Sequence, residues 1–552
     1  MKLKLYLNND QSITKQYDEP VSIETIVKEV QNEVPYRIVS ARFNRKVKRL
    51  NTVLTRSGTL ELLDIRDPGA RMSYQASLLL LFVKAVHDVA GPGVKVYVNN
   101  SLSKGLYTTL KKTELTDAFI EAVEERMRKL QREALPIHER TVLRDELMDG
   151  SIDPIPESLR SNLAYTPELK VMHLYSIEDE EWAFSSVLVP DTGYIDLFEV
   201  RKYRRGVLVR FPHPTSPGEV LPFEEQKVLY DAFSEERRWC KITGCHLASD
   251  LNRMILEEKE KELVFMNEAL HEHKIASIAA QIVEQKKRVI LIAGPSSSGK
   301  TTFANRLCIQ LRVAGLNPLY IGTDNYYVGR ANMPIGEDGK PDFEGIEALD
   351  LDLMNHDIQA LLNGETVDLP VYNFKDGVKD FGKRILSIEA NAPIVIEGLH
   401  GLNPKLSEHF EEADKFRIYI SPLTQLNIDS MNRIPTTDAR MLRRIVRDAR
   451  FRDYSAAQTI EIWPRVNRGE DRNIFPYNIY ADAFFNSQCI YELAVLKKYA
   501  KPLLEKITDD QPEYTEAQRL LNLLEYFVTM EDDEVIPNNS ILREFIGGSV
   551  IV

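Results

Sequence analysis

The stretch Gly294-Pro-Ser-Ser-Ser-Gly-Lys-Thr301 fits the pattern G-x-x-x-x-G-K-[ST] at every fixed position, and no other feature restricts this chain as much. Val289-Ile-Leu-Ile-Ala293 before it reads as a buried strand. After it, Phe303, Ala304, Leu307, Cys308 and Leu311 recur at helical spacing. Strand, glycine loop and helix, in that order, make a cradle for phosphate. The glycines let successive amides face one anion, and the helix start adds free N–H groups and the positive end of its dipole. Gly294, Ser296, Ser297, Ser298, Gly299, Lys300, Thr301 and Thr302 are the expected nucleotide contacts. Lys300 would reach the β/γ-phosphates and the Thr301 hydroxyl would hold Mg²⁺.

Further strands are expected from Leu319, ending in the acid Asp324, at Ile394–Glu397, at Phe416–Ile420 and around Ala483. Alternating strands and helices imply a parallel sheet, which collects active groups at the carboxyl ends of its strands. Lys300, Asp324 and Glu397 should converge there. Asp324 suits the base that takes a hydroxyl proton, and Glu397 suits Mg²⁺ or its water shell. Arg440, Arg443, Arg444, Arg447, Arg450 and Arg452 lie within thirteen residues. Like charges at i, i+4 repel, so a helix this basic is expected to close over phosphate as a lid.

At 552 residues the chain exceeds one core and suggests roughly three or four domains. A net charge of −13 opposes long-range attraction to nucleic acid or an anionic membrane. The basic clusters Arg42 to Arg49 and Arg201 to Arg205 read as solvated faces rather than RNA contacts. Four cysteines without a C-x-x-C pair exclude a disulfide scaffold, and Cys240, Cys245 and His246 lack the spacing of a zinc site. The apolar run Leu78–Val83 is too short to span a bilayer. The expectation is a cytoplasmic protein with no membrane partner; a homo-oligomer is left open.

In chain order, residues 1–66 show a β-grasp pattern. Ser22-Ile-Glu-Thr-Ile-Val-Lys, Ala41-Arg-Phe-Asn-Arg and Gly58-Thr-Leu-Glu-Leu-Leu resemble the TGS domain of threonyl-tRNA synthetases. Residues 67–220 resemble the next, editing module of those enzymes through Ala76-Ser-Leu-Leu-Leu-Leu-Phe-Val-Lys-Ala-Val and Val189-Pro-Asp-Thr-Gly-Tyr-Ile. Its metal-binding histidines and cysteine fall on Ser73, Ser77, Ser185 and Leu188, so neither zinc nor editing hydrolysis is expected. Residues 221–287 read as a helical connector, 288–510 as the catalytic domain, and 511–552 as a helix with a docking tail.

Six segments of the catalytic domain, in order, resemble the uridine kinase and phosphoribulokinase group: the phosphate loop, Thr323-Asp-Asn-Tyr-Tyr327, Pro341–Asp350, Pro370-Val-Tyr-Asn-Phe374, Ile396-Glu-Gly398 and Arg440–Asp448. The fusion resembles a bacterial group of long nucleoside kinases. The fold class implied is multidomain α/β: a P-loop parallel sheet behind a β-grasp and an α+β editing-type module. The resemblance implies ATP (or GTP) with Mg²⁺ on Thr301 and Glu397, and Asp324 and Lys300 as catalytic groups. On the lid helix, Arg444 and Arg447 would be catalytic as well, and Arg450 and Arg452 would bind the nucleotide. Tyr327, Glu344, Glu347, Tyr372 and Arg440 would hold a small nucleoside-like acceptor. Two departures leave the acceptor open: the family's ribose-binding aspartate aligns with Glu344, and its base-reading histidine with Gly377. A kinase of another polyol or sugar, and an RNA-binding regulator, remain the alternatives.

Overall fold

The computed structural model describes all residues except 8–10, 152–156, 167, 337–338 and 425. Near the N-terminus, β1 (Lys2–Leu7), β2 (Gln11–Gln16), β3 (Ser40–Phe43), β4 (Lys46–Lys48) and β5 (Gly58–Leu63) form one sheet in the order β2-β1-β5-β3-β4. β1 and β5 run parallel at its centre, and α1 (Ile23–Val30) buries Ile23, Ile26, Val27 and Val30. The Ser22 side chain caps α1 by accepting from the Thr25 amide. The alternation Leu3, Leu5, Leu7 puts three fully or nearly fully buried side chains on one face of β1.

The next 23 residues form α2 (Pro68–Ala90), capped by Asp67, with the apolar run Leu78–Val83 in the core. Around it lie β6 (Lys95–Leu102), β7 (Gly105–Lys111) and α3 (Asp117–Glu133). The module continues through β8 (His138–Leu143), β9 (Val171–Ile177), β10 (Glu180–Ala183), β11 (Glu199–Tyr203) and β12 (Gly206–Arg210). These strands make two antiparallel sheets, β11-β12-β7-β6 and β8-β9-β10. At the expected metal positions, Ser77 Oγ accepts from the Val189 amide and donates to the Ser73 carbonyl, Leu188 is buried and Ser185 is exposed. Part of the basic cluster is committed to protein: Arg42 pairs with Glu61 and Asp67, Arg49 donates to the Ile137 and Val189 carbonyls, and Arg45 donates to the Asp509 carbonyl.

Three helices follow, α4 (Lys227–Thr243), α5 (Ala248–Leu256) and α6 (Glu260–Glu284). Asp250 serves the start of α5 by accepting from the His246 and Leu247 amides. His246 is exposed, whereas His271 is buried and its Nε2 lies 3.1 Å from the Gln488 carbonyl.

The C-terminal domain is built on five parallel strands. They are β13 (Val289–Ala293), β14 (Leu319–Gly322), β15 (Ile394–Glu397), β16 (Lys415–Ser421) and β17 (Ala483–Asn486), in the order β14-β15-β13-β16-β17. β13 buries all five residues, as a central strand covered on both faces must. α7 (Lys300–Val313), α8 (Leu351–Leu362), α9 (Thr436–Phe451), α10 (Ala456–Asn473) and α11 (Glu492–Leu504) surround the sheet, and α12 (Tyr514–Leu524) precedes the terminal segment. The chain turns from β14 and β15 on one side of β13 to β16 and β17 on the other, so β13 ends at the topological switch where ligands bind.

The domains share interiors. One apolar core contains Val142 and Leu174 of the second module, Ile278 of α6, Phe303 of α7 and Phe545 of the tail. Met431, from the segment between β16 and α9, lies in the core of the N-terminal half. Beside it the Val98 amide donates to the Ser430 carbonyl at 2.8 Å, and Asn432 Nδ2 donates to the Ala183 carbonyl at 2.9 Å.

Candidate active site

The loop from Gly294 to Thr301 leaves β13 and enters α7, with Gly299 (φ 81°) and Ser297 (φ 60°) in left-handed conformations that turn the backbone inward. A side chain at Gly294 would collide with the Ile420 carbonyl, and one at Gly299 with Ile541. The hydroxyls of Ser297 and Ser298 are buried without a hydrogen-bond partner. A cradle of turned amides with orphaned hydroxyls suits the phosphates of a nucleotide.

Around this loop the expected residues gather. Thr301 Oγ1 donates to Glu397 Oε2 at 3.3 Å, and Tyr320 Oη donates to the same oxygen at 3.0 Å. Burial is the main influence on Glu397 and raises its pKa; Lys300 opposes that shift and the nearby Asp324 adds to it. A threonine hydroxyl beside a carboxylate at the end of a parallel strand is a hard-oxygen donor set that fits Mg²⁺.

Asp324 sits in a single 3-10 turn, Thr323–Tyr326, directly after β14. Its side chain is open to water but deep in the cleft, and protein packed around it raises its pKa through desolvation. The positive charges of Lys300 and Arg452 and a hydrogen bond from Tyr327 oppose it. Tyr327, Tyr372, Phe343 and Phe374 form an edge-to-face aromatic group beside it, with Tyr327–Tyr372 centroids 5.7 Å apart. The two expected acidic contacts separate. Glu344 is half-buried and feels both Lys300 and Arg444, whereas Glu347 points away, exposed and 3.7 Å from Lys405. At Gly377, a side chain would meet Arg330 at 2.7 Å.

The arginines of α9 divide between two environments. Arg444 Nη1 donates to Ser296 Oγ at 2.9 Å. Arg444, Arg447 and Arg452 share the carboxylate of Asp448, which holds them together as a group. Arg440 and Arg443 turn inward instead. Arg440 pairs with Glu470 and donates to the Ser296 carbonyl; Arg443 pairs with Glu492 and donates to the Ser487 carbonyl. Arg443 therefore does not belong to an exposed lid face, because a buried guanidinium this close to a carboxylate is held by it. Arg450 is exposed and lies against the tail, where a side chain at Gly547 would strike its guanidinium.

Sequence reasoning missed Asp448, Glu470 and Tyr320, and it marked the tail as a docking segment without placing it at the phosphate loop. Arg444 and Asp448 stand at i, i+4, a spacing that signals a helix ion pair. Nothing local marks Glu470 or Tyr320. In the tail, Glu544 accepts from Thr302 Oγ1 at 2.6 Å, and Phe545 lies 4.9 Å beneath the Arg443 guanidinium.

Comparison with known proteins agrees with this geometry. A profile described as the phosphoribulokinase / uridine kinase family matches residues 289–493. A uridine kinase of Chloroflexus aggregans is 30% identical over 199 residues, covering 36% of this chain and 85% of its own. The chain belongs to the phosphoribulokinase / uridine kinase family. A uridine kinase of Bacillus pumilus is 28% identical over 201 residues (36% of this chain, 86% of that protein), and one of Mycoplasma genitalium 30% over 166 residues (30% and 69%). Family membership makes the chain an ATP-dependent kinase, and the matching residues lie in the C-terminal domain. No helix among the described residues is long and apolar enough to cross a membrane.

Proposed function

We propose that the chain transfers the γ-phosphoryl group of ATP or GTP to the 5′-hydroxyl of a nucleoside, with Mg²⁺. The observation that carries this reading is the convergence, at the carboxyl edge of one parallel sheet, of the phosphate loop, the Thr301–Glu397 pair and Asp324 beside an aromatic pocket. Bound nucleotide would supply the phosphoryl group, and Mg²⁺ held by Thr301 and Glu397 would neutralise its charge. Asp324 takes the proton of the attacking hydroxyl. Lys300, Arg444 and Arg447 offset the negative charge that spreads over the transferring oxygens. Tyr327 and Tyr372 present ring faces and edges suited to a flat base.

Uridine and cytidine head the acceptor class because the matched relatives are uridine kinases. Glu344 and Gly377 favour a second reading, phosphorylation of another small polyol or sugar. A panel of nucleosides and sugars in a coupled ADP-release assay separates the two: turnover confined to sugars would reject the nucleoside. We read residues 1–66 and 67–220 as TGS-like and editing-type modules that have lost hydrolytic chemistry and serve as a platform. Their support is the β-grasp strand order and Ser77, whose hydroxyl is spent on backbone.

A further inference from the structure

Three side chains that the kinase chemistry does not use meet in the interior behind the phosphate loop. Glu268 and His271 stand one turn apart on α6, and Cys489 follows β17 in the chain. His271 packs on Phe485, and Phe485 on Phe303 of α7. A carboxylate oxygen of Glu268, a ring nitrogen of His271 and Cys489 Sγ all lie within 4.8 Å of one another, and all three residues are buried. Buried polar atoms are partnered as a rule, so an exception asks for a reason. His271 Nδ1 is enclosed without a hydrogen-bond partner, while Nε2 lies 3.1 Å from the Gln488 carbonyl. Burial keeps the ring neutral, its pKa lowered to about 4. A carbonyl only accepts, so Nε2 carries the proton and Nδ1 keeps a free lone pair. Histidines that ligate metals are oriented in this way, giving their other N–H to a backbone carbonyl. The carboxylate is braced as well. Glu268 Oε1 accepts from Ser540 Oγ at 2.7 Å and from Tyr491 Oη at 3.0 Å, and Cys489 Sγ stands 3.8 Å from the same oxygen. Arg306 Nη1 holds Oε2 at 3.5 Å.

We propose that Glu268, His271 and Cys489 bind a zinc ion. A thiolate, an imidazole and a carboxylate make a mixed sulfur, nitrogen and oxygen set, which selects zinc over Mg²⁺ or Ca²⁺. The fourth tetrahedral position falls to an oxygen, of water or of the Ser540 or Tyr491 hydroxyl beside Glu268. Burial raises the Cys489 pKa, and coordination to a dication releases that proton to solvent. The ion joins α6 to the turn in which the Cys489 amide donates to Glu492 Oε2 at 3.0 Å. Glu492 in turn holds Arg443 of α9, which donates to the Ser297 carbonyl at 3.3 Å, so the metal fixes the floor of the phosphate loop. It is a separate site from Ser73, Ser77, Ser185 and Leu188, where the second module offers no metal ligands.

The test uses the full-length chain purified without chelator or added metal. Metal analysis should find about one zinc per chain, and cobalt(II) exchanged into its place should show the sulfur-to-metal charge-transfer band of a thiolate ligand. Cys489→Ala should abolish that band and weaken zinc binding by on the order of 10²-fold or more, beyond the roughly 10- to 100-fold loss that follows removal of an outer-shell partner. Calorimetry in buffers of different ionisation heat should count about one proton released per zinc, from the Cys489 thiol. Stripping zinc with a chelator, with no nucleotide present, should lower the melting temperature, and added zinc but not Mg²⁺ should restore it. If Cys489→Ala does not fold, His271→Gln gives the comparison, with weaker binding and the thiolate band kept at saturating cobalt. A wild-type chain that carries no zinc and gives no thiolate band on cobalt titration would overturn the inference. Zinc held equally by wild type and Cys489→Ala would overturn it too, by placing the metal elsewhere.

Discussion

Asp324 has an environment that sets both its role and its pH range. Desolvation in the cleft raises its pKa, against the attraction of Lys300 and Arg452. A carboxylate with a raised pKa keeps its proton to higher pH, so the base form is lost as pH falls through that raised value. The acid limb of kcat/KM should therefore sit above the range of a free aspartate, about pH 4. Neutralising Lys300 should move the limb further upward while lowering the rate. Replacing Asp324 with Asn should reduce turnover by on the order of 10²-fold or more and leave nucleotide affinity nearly unchanged, as steady-state kinetics and calorimetric titration would show. Unchanged turnover would remove Asp324 as the base. The positions of Asp324 and Glu397 were legible in the sequence because one follows and the other ends a short apolar strand, and a parallel sheet delivers such positions to one edge.

α9 carries two kinds of arginine on one helix, and the difference predicts different losses. Burial raises the pKa of Glu492 while Arg443 opposes that shift, and the two are fully enclosed. Glu492→Ala would leave the guanidinium buried without its partner, at a cost of about 3–5 kcal/mol measured by denaturant unfolding. Arg444→Ala, at a partly exposed position, should change stability by about 1 kcal/mol or less and yet sharply reduce turnover. Equal stability losses would contradict this division. Helical spacing found the helix but not its buried side, because the partners come from α10 and α11, 30 and 49 residues onward. Hydrophobic periodicity carries no signal for a buried arginine. The same limit hid Glu470, whereas the helix-borne pair of Arg444 and Asp448 was written in their spacing.

At the scale of the molecule, the kinase domain is packed into its neighbours rather than tethered to them. Met431 sits in the N-terminal core, and Arg519 clamps Asp438 at the start of α9 with two contacts of 2.6 and 2.8 Å. The segment leading into the arginine helix is thus held by the front half through Met431 and by α12 through Arg519, and calorimetry should find these parts unfolding together. The tail continues the same logic at the phosphate loop. Ile541 closes on Gly299, Ser540 Oγ donates to Glu268, and Phe545 lies under Arg443. Ile541, Leu542 and Phe545 are wholly buried, and each contributes roughly 1.5–3 kcal/mol relative to exposure. The sequence marked this apolar end as a docking segment, but its partner could not be read, since the contacts join residues at least a hundred positions apart. A chain ending at residue 539 should therefore melt at lower temperature. Its phosphate loop should also bind nucleotide more weakly, because Gly299 and Thr302 lose the neighbours that fix them. Saturating ATP raises stability by about 2.7 kcal/mol at a hundred times Kd. At the same ATP concentration, the truncated chain should gain less than the full chain. An equal gain would show that the tail supports the core without shaping the loop.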